Sequence, residues 1–157
     1  MTTQDTSIDQ FLAATADGGP AIGLRVVTGR ATSTTLPGVR THRVDGHDAH
    51  TLPTFYRAFA KAWDFPKHFG ENKDAFDDVM TDLPDTARGY LTEILHPREL
   101  LAADPDALAW FVGSIGFYAG EYAPHRQFGV LLLARSDEAE ATMTAWRAAG
   151  ADIAVVD

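Results

Sequence analysis

Residues His68 to Leu83 read HFGENKDAFDDVMTDL, and two patterns are superimposed in them. At about 100° per residue, Phe76, Val79, Met80 and Leu83 fall on one side of a helix. Asp74, Asp77, Asp78 and Asp82 fall on the other. Asn72 is placed to cap the helix, just after a Gly70-Glu71 turn. Like charges three and four residues apart oppose helix formation by a few tenths of a kcal/mol per pair. Asp74 recovers something from the positive end of the helix dipole, whereas Asp78 and Asp82 lie beyond its reach. Folding alone does not call for such a face; a cationic partner would. The charge is also concentrated here. From Glu71 to Asp85 there are six acids and one base, Lys73, a net of −5 in a chain whose total is −9.

Working outward, strands and helices alternate. Toward the N-terminus, Thr51 caps a helix with Pro53 in its first turn, where a missing N–H costs nothing. Phe55, Phe59, Ala62 and Trp63 form its core stripe, and Phe65-Pro66 stops it. Val39 to Val44 and Ala21 to Val27 read as strands. Ser7 to Ala16 reads as a short helix ended by Gly18-Gly19-Pro20. Toward the C-terminus, Tyr90 to Leu95 is a strand, Pro97 to Leu101 a helical turn, and Asp104-Pro105 opens a helix to about Tyr122. Phe128 to Ala134, FGVLLLA, is an apolar run expected of a strand covered on both faces. A last helix starts at Ser136 to Glu138 and ends at Gly150, and Ile153 to Val156 closes as a strand. This order implies an α/β fold with a small, mostly parallel sheet packed with helices.

The 157 residues, 45 % of them hydrophobic, suffice for one domain with its own core. The negative charge argues against nucleic-acid binding, which rests on Lys and Arg. There is no cysteine, so disulfides and thiolate metal sites are excluded. MTTQDTSIDQFL lacks the pattern of a signal peptide, and no apolar stretch approaches membrane-spanning length. A cytoplasmic protein without membrane contact is expected.

Gly46 to Val79, GHDAHTLPTFYRAFAKAWDFPKHFGENKDAFDDV, resembles the barstar family, intracellular inhibitors of barnase-type ribonucleases. The shared order is strand, Gly turn, helix, Pro-containing loop, aromatic-Gly-Glu-Asn turn, then a helix with two inhibitory aspartates. The resemblance implies a core over about residues 39–134, an N-terminal extension over 1–38, and an added C-terminal helix and strand over 135–157. It also implies a stoichiometric inhibitor, not an enzyme, whose partner is a basic ribonuclease. Asp74 and Asp78 match the aspartates placed in the enzyme's active site, Asp78 being the dominant one. His68 stands where the family has a contacting tyrosine. Phe69, Gly70, Glu71 and Asn72 match the turn, and Gly70 and Asn72 would help shape the contact loop. Asp77 replaces a tryptophan, and Leu83 stands near another, so the contact surface differs.

The family's further acidic anchor lies late on the helix before its last strand. With FGVLLLA as that strand, Glu121 is the nearest acid. With Ala151 to Val156 as that strand, the position falls near Ala145 and the anchor is absent. The first register is favoured, because FGVLLLA is the better buried strand.

Other constellations are weaker. Asp77-Asp78 with Asp82 lacks the second carboxylate cluster of a magnesium site. His47 and His50, with Asp45 and Asp48, have metal-ligand chemistry, yet no fourth-ligand pattern accompanies them. They read as a polar strand-to-helix loop, and no metal or cofactor is expected. Alternative functions are immunity to a toxin that is not a ribonuclease, a regulatory binding module and, last, a small enzyme using carboxylates such as Asp77, Asp78 or Glu71.

Overall fold

The computed structural model describes residues 6–157. Its strands are β1 (Ile22–Val27), β2 (Val39–Asp45), β3 (Gly89–Leu95), β4 (Gln127–Arg135) and β5 (Ile153–Val155). Its α-helices are α1 (Ile8–Thr15), α2 (Leu52–Trp63), α3 (Lys73–Met80), α4 (Pro105–Tyr122) and α5 (Ala139–Ala148). The strands form one sheet in the order β2-β3-β4-β1-β5, with every pairing parallel. Parallel neighbours need crossover connections, which the helices supply.

Side chains alternate across a strand, so successive residues of β3 and β4 face opposite layers. Tyr90, Ile94, Phe128, Val130 and Leu132 enter the main core with Phe55 and Phe59 of α2, Phe76 and Met80 of α3, Phe111 and Tyr118 of α4, and Trp146 of α5. Leu91, Leu131 and Leu133 face the other way, into a smaller core with Phe11, Leu12 and Val156. FGVLLLA is apolar throughout because both layers exist: α1 covers one face of the sheet and the remaining helices cover the other.

Most polar groups inside this packing are paired, Thr41 Oγ1 on β2 being an exception. Trp63 Nε1 donates to Thr92 Oγ1 at 3.0 Å, and Trp146 Nε1 to the Pro97 carbonyl at 3.1 Å. Glu93, fully buried on the smaller-core face of β3, lies directly beside Arg43 of β2. Arg43 Nη2 donates to Glu93 Oε1 at 3.1 Å, and Thr34 Oγ1 donates to Oε2 at 2.6 Å. The same guanidinium donates to the carbonyls of Ala31 and Thr32, which fastens the 28–38 loop over the sheet. No helix among the described residues is long and apolar enough to cross a membrane.

Candidate functional site: the acidic face of α3

The turn before α3 is built by its own residues. Phe69 is half-buried, packed edge-on against Phe65 and Tyr56 with ring centroids 4.9 and 5.9 Å away. Glu71 takes the left-handed backbone conformation (φ 48°), which turns the chain into the helix. Asn72 then bonds in both directions: its Oδ1 accepts from Ala75 N at 2.8 Å, and its Nδ2 donates to the Gly70 carbonyl at 3.3 Å. Cap and turn are thus fixed by one side chain, an arrangement worth about 1 kcal/mol to the helix. His68, Gly70 and Glu71 remain exposed around it.

Phe76 and Met80 anchor α3 in the core. Its far end is held by α4. Tyr122 Oη donates to the Met80 carbonyl at 2.6 Å and accepts from Leu83 N at 3.0 Å, which satisfies groups that the end of a helix leaves open. Burial pushes the Tyr122 phenol up to about 12, and burial and the Asp77 carboxylate push the Tyr118 phenol up as well.

The four aspartates expected on one helix face divide into three settings. Asp74 and Asp78 are exposed, and their carboxylates make no hydrogen bond or ion pair among the described residues. Asp77 is half-buried and accepts a 2.5 Å hydrogen bond from Tyr118 Oη. Asp77 therefore leaves the outer face on which periodicity puts it: it stands at the edge of that face next to α4, where Tyr118 engages its carboxylate. Asp82 lies beyond the helix, because α3 ends at Met80 with Thr81 as its C-cap.

The neighbouring positive charges do not cover the two exposed aspartates. Lys73 Nζ lies 5.5 Å from the ring centroid of Trp110. Arg57 approaches Glu71 at 3.5 Å, with both side chains exposed, a pair of little energetic weight. A groove of about 540 Å³ separates the starts of α2 and α3, with Leu52, Pro53 and Tyr56 on one side and Glu71, Asn72 and Asp74 on the other. Glu121 is exposed on the last turn of α4, between the two tyrosines that brace α3.

Aspartates that are exposed, held on a fixed helix and free of internal partners can accept charge-assisted hydrogen bonds from another molecule's Arg, Lys or His. Sequence reasoning proposes Asp74, Asp78 and their turn as the contact surface, and does not foresee Tyr118 and Tyr122 as the braces of α3; a Tyr pair four residues apart on α4 was the available signal. Residues 39–132, more than half of the chain, match the family model described as Barstar (barnase inhibitor). No curated protein matches the chain.

Proposed function

The chain belongs to the barstar (barnase inhibitor) family, and on that premise we propose that it binds a basic ribonuclease and blocks its active site with α3. One observation carries the reading: Asp74 and Asp78, one helical turn apart, stand exposed and without internal partners on a helix clamped at both ends. A ribonuclease holds cations where the scissile phosphate binds and its transition state develops charge. Two carboxylates about one turn apart occupy the places of phosphate oxygens and exclude RNA. Asp78 is the central anchor and Asp74 the second. His68 and the Phe69 to Asn72 turn form the adjoining contact surface. Asp77 acts at one remove, by bracing α3 through Tyr118.

The matched segment closes within β4, which supports β4 as the last strand of the inhibitory core and Glu121 as the further acidic contact. The negative face would accelerate encounter with a basic enzyme, an effect that salt screens. Action inside the cytoplasm, as protection against such an enzyme, belongs to the same proposal.

The test is titration of a barnase-type ribonuclease with the chain. RNA cleavage should stop at one equivalent, and association should slow as ionic strength rises. Asp78→Ala should weaken inhibition about a hundredfold, the loss of one or two charge-assisted hydrogen bonds. Undiminished inhibition by a folded Asp78→Ala protein, or none by the parent chain, would reject the reading.

A further inference from the structure

Away from α3, the fold completes a cluster that the sequence left in pieces. His47 and His50 lie in the turn after β2, and Glu99 lies 52 residues beyond His47 in the turn after β3. Because β2 and β3 are parallel neighbours in register from Val39↔Gly89 to Asp45↔Leu95, both turns leave the same end of the sheet side by side. His47 Nδ1 is 3.0 Å and His50 Nε2 3.4 Å from the same oxygen, Glu99 Oε1. All three ligand atoms lie within 4.8 Å of one another.

We propose that His47 Nδ1, His50 Nε2 and Glu99 form a binding site for a borderline transition cation of the Zn²⁺ type. Metal–ligand bonds of about 2.0–2.1 Å in a tetrahedron place neighbouring donors about 3.3 Å apart. The two short separations bracket that value. The His47 contact has hydrogen-bond length, as one neutral ring donating to Glu99 would give. A central cation accounts for both rings meeting the same oxygen, because it lets two neutral imidazoles and one carboxylate converge. Imidazole donors select Zn²⁺, Ni²⁺ or Cu²⁺ over Mg²⁺ and Ca²⁺, which prefer all-oxygen shells. Two histidines and a glutamate leave the fourth position to solvent or to a donor from a bound partner.

The backbone around the cluster is set in advance. Leu101 N donates to the Ala49 carbonyl at 2.8 Å and Ala103 N to that of His50 at 3.1 Å, so the two turns are stitched together. Gly46 permits this approach: a Cβ there would lie 2.3 Å from the His96 carbonyl oxygen. Asp45 Oδ1 accepts from His47 N at 2.9 Å and contacts His96 Nδ1 at 2.7 Å, which fixes the turn that presents His47. Such supporting contacts commonly orient metal ligands.

The site does not depend on ribonuclease inhibition, and its test uses metal alone. Full-length chain freed of metal with a chelator is titrated calorimetrically with ZnCl₂, with MgCl₂ as comparison. One saturable Zn²⁺ site at micromolar concentration is expected, with no Mg²⁺ response. Tm should rise by about 5 °C at a hundredfold excess over Kd. His50→Gln changes an exposed side chain and Glu99→Gln a half-buried one, both with little change in volume; each should leave the circular dichroism spectrum intact while weakening Zn²⁺ at least about tenfold. Absence of one-to-one binding, an equal response to Mg²⁺, or Zn²⁺ affinity that survives both substitutions would overturn the proposal.

Discussion

Glu93 and Asp78 carry the same functional group in opposite surroundings. Glu93 is fully buried in the sheet and receives hydrogen bonds from Arg43, Ser33 and Thr34. Asp78, with Asp74 one turn before it, is exposed on α3 and receives none among the described residues. A carboxylate withdrawn from water needs fixed partners, because burying it alone costs far more than one contact returns. An exposed one keeps its hydration until another molecule replaces it. The contrast separates carboxylates committed to the fold from those available for binding, and Asp77 with its Tyr118 bond stands between them.

The comparison predicts a descending series of effects. Arg43→Ala strips Glu93 of its counter-charge and loosens the 28–38 loop, so stability should fall by about 3 kcal/mol in urea denaturation. A loss below about 1 kcal/mol would mean that water replaces the guanidinium. Alkaline pH tests the tyrosine braces. The folded Tyr122 phenol ionises near 12 and the unfolded one near 10, so the protonated brace contributes its full stability below pH 10. That contribution should disappear as pH climbs from 10 to about 12, and Tyr122→Phe should flatten the decline in the urea midpoint.

Asp77→Ala should cost about 1–2 kcal/mol, because the buried Tyr118 hydroxyl loses its acceptor. Adding Tyr118→Phe should recover part of that loss. Asp78→Ala, so damaging to binding, should change stability by less than about 1 kcal/mol, with relief of repulsion and better helix propensity favouring a small gain. A thermal melt checks this. A substantial drop in Tm would place Asp78 with Glu93 as a carboxylate the fold requires.

Much of this was legible in the order of residues. Asn72 as cap, Pro53 in the first turn of α2 and the Gly18-Gly19-Pro20 stop are local signals whose physics acts within a few positions, and the elements formed where those signals stand. FGVLLLA announced a strand covered twice, and the order of elements announced parallel pairing, which proved complete. Long-range juxtapositions were not legible. Nothing in YLTEIL says that Glu93 meets Arg43, and nothing in DGHDAH points to Glu99; both depend on the register of β2 against β3. Asp77 looked like its neighbours because periodicity gives its direction but not the tyrosine waiting there.

The place of β1 has a consequence for assembly. Ile22 aligns with Val130 and Ile153, so this early strand is flanked on both sides by segments more than a hundred residues further along the chain. It has no seat until β4 exists, and contacts across such separations form slowly. During synthesis the leading segment emerges first yet must wait. Until it docks, β4 offers an unpaired, apolar margin, where a second nascent copy could pair before the proper strand arrives.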